Sequence, residues 1–416
     1  MSFYGFFLGN ILILFSALTA YASYISLDYA IQHSRKHSYA NMVSFYLGKK
    51  VATIFIIFLI CTNFMGSTIY PAVGWGFLSD LISGPLDLPI ANSNYNTVDE
   101  YAPKVWLARA VSMTLLMLLT LLVTLRKSFG GLRYLSFLSF VTIIFSLGVV
   151  VFQSPMFYLY YKDKEIYETD FFPKVSGISR HWITGLSTMF LSFLITPLFF
   201  YLRGELIDKS PKKVKQVIGF TISLELILYL VVSNVGYLCF GNNLTPPILT
   251  LRKPLRKKNI FLNYLAGMND TLMVVVRVIF IPVTLMHIPT NLFSLRDQIY
   301  TYNGVKRTFK NHVILSFTLT LLVFIVPTIY PSVLGIFGIF GGIFVVTIAL
   351  IFPFWLLAEI GRKLIYFFIF LGREKRRFME YGSKMVVFCS VLLTIASTSV
   401  SVYDLLASYN ISTIDI

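Results

Sequence analysis

The sequence predicts an all-α membrane protein that crosses the bilayer about ten times. Apolar residues make up 56% of the 416 residues and charged residues only 13%, whereas a soluble domain carries about 25% charged residues. The apolar residues form long runs, and a bilayer core about 30 Å thick needs roughly 20 apolar residues of helix. These runs lack the alternating pattern of a membrane barrel, so their backbone must be paired within helices.

Ten such runs occupy most of the chain, and polar segments separate them. No loop is long enough to form a separate globular domain, so we expect a single transmembrane domain over residues 1–416. The runs are approximately 6–31, 51–82, 105–125, 132–152, 183–202, 214–240, 271–295, 313–330, 332–358 and 385–406.

The positive charges are distributed unequally between alternate loops. One set of loops carries 23 of the 35 Lys and Arg residues and the other set carries ten. Because cytoplasmic loops carry the excess of positive charge, the first set is predicted to be cytoplasmic, including a basic loop at 359–384. The loops 83–104, 154–182 and 241–270 then face the outside or a lumen, as do both termini. The net charge of +16 therefore reflects topology, and we expect no nucleic-acid partner.

The motifs of enzymes and bound cofactors are absent from the sequence. It contains no HExxH, no GxSxG and no Walker loop, which are common signatures of hydrolases and nucleotide-binding enzymes. Cys61, Cys239 and Cys389 lie far apart, within or at the end of apolar runs, and predict neither a disulfide framework nor a zinc site. We therefore expect a protein that is not an enzyme, with no catalytic residue, metal or cofactor.

Several short segments match, in order along the chain, the signatures of one family of membrane proteins. Residues 62–70 (Thr-Asn-Phe-Met-Gly-Ser-Thr-Ile-Tyr) are similar to its third helix, and residues 132–136 (Leu-Arg-Tyr-Leu-Ser) to the start of its fifth. Residues 192–194 resemble its sixth helix, 236–241 its seventh, and the Gly- and Pro-containing stretch 326–353 its ninth and tenth. On these segments the chain resembles the amino acid/auxin permease family, which includes sodium-coupled neutral and vacuolar amino acid transporters.

The resemblance implies an inverted-repeat fold of five plus five helices, with substrate and ions bound near the midplane at breaks in helices one and six. Residues 5–9 resemble the start of the second helix, so the family's first helix is expected to be missing. Either the start codon is misassigned or the protein has lost ordinary transport. We expect residues 1–416 alone to show little coupled uptake, and a chain extended by that first helix to recover it.

A break in the predicted helix at 183–202 is the main candidate for a substrate site. Small and polar residues interrupt this run, and Pro197 frees the carbonyl four residues earlier from its helical bond. Amides and carbonyls exposed at such a break can hold an amino acid zwitterion; the alternative is that the small residues only allow close helix packing. The candidate substrate-binding residues on this helix and on the second run are Ser187, Ser192, Phe193, Thr196, Asn63 and Ser67.

Three ionisable or polar residues are candidates for ion coupling. Thr284 and His287 share one face of the run at 271–295, where His287 either handles protons or packs as a satisfied core residue. Glu225 lies in the middle of its own run, at a depth where an ionised group is costly. Glu225 either pairs with Arg277 or serves a proton path.

The resemblance implies secondary active transport of amino acids, coupled to protons or sodium as the only ion requirement. The expected partners are a small-molecule amino acid and the lipid bilayer, and the sequence does not define the oligomeric state. The expected location is the plasma membrane or a vacuolar or lysosomal membrane. The alternative is a non-transporting amino acid sensor or a degenerate remnant of the family, which the missing first helix would favour.

Overall fold

The structure is a computed structural model that describes most of the chain. The described segments are residues 4–36, 38–82, 103–125, 133–162, 182–193, 196–240, 271–303, 306–329, 341–364 and 378–414. Within these segments every regular element is helical.

Twelve α-helices and three short π-helical segments make up the described fold. The α-helices are α1 (Gly5–Ser34), α2 (Tyr39–Leu47), α3 (Lys49–Ile82), α4 (Pro103–Thr124), α5 (Arg133–Lys162), α6 (Trp182–Phe193), α7 (Thr196–Glu205), α8 (Pro211–Phe240), α9 (Thr271–Asn303), α10 (Phe309–Ile329), α11 (Phe352–Leu364) and α12 (Ser383–Ile414). The π-helical segments are Gly341–Val345, Thr347–Ile351 and Phe378–Gly382.

Eight described helical segments are long and apolar enough to cross a membrane, judged by length and composition. This confirms the prediction of an all-α polytopic membrane protein. The remaining two predicted runs correspond to α4, whose apolar part Arg109–Thr124 is shorter, and to the pair α6 and α7. Those two crossings stay predictions.

Several helices extend beyond the apolar runs that predicted them. Helix α9 continues past residue 295 to Asn303, and α5 continues to Lys162, into the segment predicted as an outer loop. The difference has a simple cause, because hydropathy marks only the part of a helix inside the bilayer and polar turns can project beyond it. The predicted loops 83–104 and 241–270 lie almost entirely outside the described residues.

Helix α1 has little overall amphipathicity, and small residues define the face through which it packs. Its buried positions recur every three or four residues and include the small residues Ala17, Ala20 and Ser23. Its opposite face exposes large apolar side chains such as Phe7 and Leu18. Lipid satisfies those apolar side chains as well as protein does, so small residues that allow close backbone approach define the protein-facing side.

The described helices pack into two groups that share α3. In the first, the N-terminal part of α3 packs with α1, α2, α6, α7, α8, the paired π-helical segments and α11. In the second, the rest of α3 packs with α4, α9 and α10. Helix α5 contacts both α8 and α9 and so touches both groups.

Helices α3 and α9 form the most extensively packed pair of the described fold. Both contain internal proline, which is Pro71 in α3 and Pro282 and Pro289 in α9. Glycines bring the two helices close together: a β-carbon at Gly74 would lie 3.3 Å from the Oγ1 atom of Thr284, and one at Gly66 would lie 3.7 Å from Nδ2 of Asn291.

The C-terminal end of α4 is capped by side chains of the second group. The buried Arg296 donates through Nη1 to the carbonyl oxygen of Thr124 (2.8 Å) and to Oγ of Ser316 (2.7 Å). The Nε2 atom of His312 lies 3.0 Å from the carbonyl oxygen of Leu125. Because the last carbonyls of a helix have no partner within the helix, these contacts fix α4 to α9 and α10.

A reciprocal amide pair joins α1 to α8. Asn10 and Asn234 each donate through Nδ2 to the other's Oδ1 at 2.9 Å, and Asn10 also donates to the carbonyl oxygen of Phe6 at 2.9 Å. Such side-chain bonds between membrane helices contribute about 0.6–2 kcal/mol.

We predict a measurable coupling between these two asparagines. When Asn234 is replaced by Leu, the remaining Asn10 still donates to the carbonyl oxygen of Phe6. When Asn10 is replaced by Leu, the remaining Asn234 loses the partner it had in the pair, so this substitution should destabilise the protein more. The double variant should cost less than the sum of the two single variants, with a coupling energy of about 0.6–2 kcal/mol. Thermal unfolding of the purified protein in detergent measures all three; strictly additive costs would argue against the pair.

Candidate functional site

The predicted polar residues of α3 and α9 face one another across their shared interface. Asn63 is buried and donates through Nδ2 to the carbonyl oxygen of Leu59 (3.0 Å) and to Oε1 of Gln298 on α9 (3.1 Å). Ser67 is fully buried and donates to the carbonyl oxygen of Asn63 at 2.7 Å. The structure therefore places both residues in the α3–α9 contact, with hydrogen bonds already made. Their role in substrate binding stays a prediction.

The structure describes α6 and α7 as two helices, with α6 ending at Phe193 and α7 beginning at Thr196. Leu194 and Ile195, where the predicted interruption falls, lie outside the described residues. The side chains of Ser187 and Thr196 also lie outside them, so the interruption and the roles of these two residues stay predictions.

Two tyrosine hydroxyls donate hydrogen bonds to the carbonyl oxygens at the end of α6. Tyr229 of α8 donates to Ser192 at 3.0 Å, and Tyr24 of α1 donates to Phe193 at 3.2 Å. The ring of Phe193 is buried and meets the ring of Tyr229 edge-on, with centroids 5.0 Å apart, whereas the side chain of Ser192 is exposed. Backbone carbonyls at this depth that bond to side chains are typical of a helix end inside a membrane protein.

The predicted ion-coupling stripe of α9 lies against α3. His287 stacks on Tyr70, with ring centroids 4.8 Å apart and an angle of 13° between the planes. Tyr70 also shares a side-chain hydrogen bond with Asn291, one turn after His287. Thr284 is buried and donates to the carbonyl oxygen of Ile281 within its own helix at 2.8 Å. Among these, the imidazole is the group suited to carrying a proton.

Glu225 lies halfway along α8 and is half-buried. Its Oε2 atom is buried and accepts no hydrogen bond within the described part of the chain. Tyr229, one helical turn later on the same face, interacts electrostatically with Glu225 and with Tyr70. The side chain of Arg277 lies outside the described residues, so the alternative pairing of Glu225 with Arg277 is not tested.

Two tyrosines accompany the predicted ion-coupling residues Glu225 and His287. Tyr70 stacks on His287, and Tyr229, one turn after Glu225 on α8, bonds to Ser192 and meets Phe193 at the end of α6. We call Glu225, Tyr229, Tyr70 and His287 the central polar cluster. It holds a carboxylate and an imidazole, both able to bind a proton, next to aromatic faces and backbone carbonyls that can receive a cationic group.

The sequence reasoning did not identify Tyr229 or Tyr24 as functional candidates. Aromatic residues are common in membrane helices, and no local pattern distinguishes a tyrosine that bonds to a distant carbonyl. One feature of the sequence could have identified Tyr229: it follows Glu225 by four residues on a predicted helix and so shares its face. Tyr70 was within the segment that resembles the family's third helix, but its stacking partner is more than 200 residues away.

Helix α7 is held in place by an ion pair and by hydrogen bonds to charged groups. Arg203 donates through Nε to Oδ1 of Asp28 on α1 at 2.6 Å, and both side chains are almost completely buried. Gln32 donates to Oδ2 of Asp28 at 2.6 Å. On its other side, Tyr201 of α7 donates to Oδ2 of Asp297 at 2.9 Å. Helix α7 is thus fixed to α1 and to α9.

A metal centre is not evident in the described residues. No group of three or more His, Cys, Asp or Glu side chains lies close enough together there to hold a metal ion. The ionisable residues of the central polar cluster are a single carboxylate and a single imidazole, and their chemistry is that of proton exchange.

The chain matches a known family in sequence. Residues 1–403 match the family described as "Transmembrane amino acid transporter protein", and the chain belongs to this family.

Two curated relatives show weaker, partial similarity. Over 126 residues the chain is 25% identical to "Vacuolar amino acid transporter 5" of Saccharomyces cerevisiae, a segment that covers 30% of this chain and 27% of the relative. Over 171 residues it is 22% identical to "Sodium-coupled neutral amino acid symporter 2" of Danio rerio, covering 41% of this chain and 32% of the relative. The matched segments thus span about a third or less of these two relatives.

Proposed function

We propose that this protein is a secondary active carrier that moves amino acids across a membrane, driven by a proton gradient. The single observation that supports the coupling ion most is Glu225, a carboxylate at membrane depth whose buried oxygen has no hydrogen-bond partner among the described residues. An ionised carboxylate at this depth is costly, so this group is suited to alternating between protonated and ionised forms. The family membership supports the amino acid substrate.

The proposed substrate site is the end of α6 together with the start of α7. The first amides of α7 would face the substrate carboxylate, because helix N-termini favour anions. The carbonyl oxygens of Ser192 and Phe193 would face the substrate ammonium, since a carbonyl that accepts one tyrosine proton keeps a second lone pair. Asn63, Ser67, Ser187 and Thr196 remain the polar residues proposed to complete the site, within one transporter domain that spans the chain.

His287 is proposed as the second proton-binding group of the carrier. Its stacking on Tyr70 fixes its ring between α9 and α3, and Tyr70 in turn interacts electrostatically with Tyr229, one turn from Glu225. A proton-coupled carrier needs groups that change protonation as the site changes its exposure. Sodium is the competing coupling ion, since one relative is named as sodium-coupled.

The test is uptake by purified protein in liposomes, and it is our first functional prediction. We expect accumulation of labelled neutral or cationic amino acids when the outside is acidic, with no effect of sodium and with loss of accumulation when a protonophore is added. Two forms would be reconstituted in parallel, residues 1–416 and the same chain extended by its natural upstream helix where the gene encodes one. Accumulation driven only by sodium would overturn the proton assignment. Saturable binding without uptake by either form would instead support the sensor.

A further inference from the structure

We infer that Tyr229 is the positioning residue that transmits the protonation state of Glu225 to the end of α6. This inference rests on the proposed function, because it explains how a proton on α8 affects a substrate held next to α6. Tyr229 lies between the two places: its hydroxyl bonds to Ser192 at 3.0 Å, and Glu225 lies one turn before it on the same helical face.

Tyr229 can donate a hydrogen bond to only one acceptor at a time. A tyrosine hydroxyl has one proton to donate, so Tyr229 can donate either to the carbonyl of Ser192 or to another acceptor. A protonated Glu225 is itself a donor through its hydroxyl and leaves the Tyr229 proton on Ser192, which is the arrangement observed. An ionised Glu225 is an acceptor only, and its charge makes it a stronger one than a neutral carbonyl.

Loss of the proton therefore draws the Tyr229 hydroxyl from Ser192 towards Glu225. The proton leaves to water on the side to which the site is open, and no other bond is made or broken covalently. The carbonyl of Ser192 then loses the tyrosine donor that holds it next to the substrate ammonium, so substrate and proton are bound together and released together. The rings of Tyr229 and Phe193 meet edge-on, with centroids 5.0 Å apart. The same movement of Tyr229 therefore also shifts its contact with Phe193, the last residue of α6.

Within the described residues, few other titratable groups lie near Glu225 and Tyr229. Tyr70 of α3, which stacks on His287 of α9, interacts electrostatically with Tyr229. Helix α6 contains no Asp, Glu, Lys, Arg or His residue, and the charged residues of α5 are at its two ends. On α1, Tyr21 packs at Gly219, nearer the N-terminal end of α8, and Asp28 is engaged by Arg203. The proposed pH response is therefore assigned to Glu225, with His287 as the group to control for.

The Tyr229→Phe variant tests the inference, and Tyr24→Phe is its matched control. Both remove one hydroxyl that bonds to an adjacent carbonyl at the end of α6, but only Tyr229 is one turn from a carboxylate without a partner in the described residues. The measured quantity is the ratio of uptake rates with and without a proton gradient, in the form of the protein that transports. We expect this ratio to fall by about fivefold or more in Tyr229→Phe, the lower end of usual coupling between sites.

The control should keep that ratio, whatever its effect on the absolute rate. An unchanged ratio in Tyr229→Phe, or an equal loss in both variants, would overturn the inference and leave Tyr229 with a structural role. Absence of proton-driven uptake in the unmodified protein is a different outcome, and it overturns the proposed function instead.

A second measurement covers the case in which Tyr229→Phe does not fold. Incorporating 3-fluorotyrosine at position 229 keeps the shape and the hydroxyl of the side chain but makes the phenol a stronger donor. The infrared band of the protonated Glu225 carboxyl, assigned by its loss in Glu225→Gln, should then titrate at a shifted pH. The same replacement at position 24 should leave the band unchanged. No shift at position 229 would count against the inference.

Discussion

The Glu225→Gln variant is expected to lose proton-driven accumulation of amino acids by about tenfold or more, which corresponds to about 1.4 kcal/mol or more of lost driving force. Glutamine has nearly the shape of a protonated glutamate and can donate a hydrogen bond in the same way. It cannot release a proton, so the carrier would no longer take up one proton for each substrate. Exchange of labelled for unlabelled substrate, which needs no net proton movement, should still be detectable.

Glu205→Gln is the control for this experiment. Glu205 is the last residue of α7 and is exposed, so the same chemical change there should leave the dependence on the proton gradient in place. Uptake in liposomes, with and without a protonophore, measures both variants. If Glu225→Gln accumulates substrate as the unmodified protein does, the proton is carried elsewhere, and His287→Gln becomes the next variant to measure.

The Arg203→Ala variant is expected to destabilise the protein by about 3–5 kcal/mol, because it leaves the carboxylate of Asp28 buried without its cationic partner. The two side chains are 10% and 6% exposed, and their atoms are 2.6 Å apart. Gln32 still donates one hydrogen bond to Asp28, and that bond does not neutralise the charge. The measurement is thermal or denaturant unfolding of the purified protein in detergent.

Arg307→Ala provides the matched comparison at an ion pair with Asp297 that is open to solvent. There the side chains are 65% and 33% exposed, and such pairs contribute about 0–1 kcal/mol. Combining Arg203→Met with Asp28→Leu should recover most of the stability lost in Arg203→Ala, since a buried ion pair can often be replaced by apolar residues at little cost. Equal losses for Arg203→Ala and Arg307→Ala would show that burial does not determine the strength of the α1–α7 contact.

The helices could be predicted from the sequence because the bilayer leaves the chain few alternatives. A run of apolar residues that crosses lipid must pair its backbone internally, so composition alone located most of the described helices. The ends of the helices were less predictable: the polar last turns of α9, up to Asn303, carry no apolar signal. Helix α2 was not predicted at all, since its nine residues are too few to span.

The candidate site was predictable in its residues more than in its contacts. Helical spacing placed Thr284 and His287 on one face, and the structure shows that this face meets α3. Spacing cannot show that Arg203 meets Asp28, 175 positions away, or that Tyr229 bonds to the end of α6. Such partners depend on how separate helices pack, which the local pattern of a single helix does not contain.

The prolines of α3 and α9 determine where this helix pair is easiest to bend. Each proline removes one amide donor, and its ring displaces the carbonyl four residues earlier, so stiffness is lowest near Pro71, Pro282 and Pro289. The stacked rings of Tyr70 and His287 lie within about two turns of all three. Farther along the pair, Asn63 is bonded to Gln298, and Arg296 anchors α9 to α4. Bending at the prolines would therefore move the two rings relative to α8, while the part of the pair that contains Asn63, Arg296 and Gln298 stays anchored.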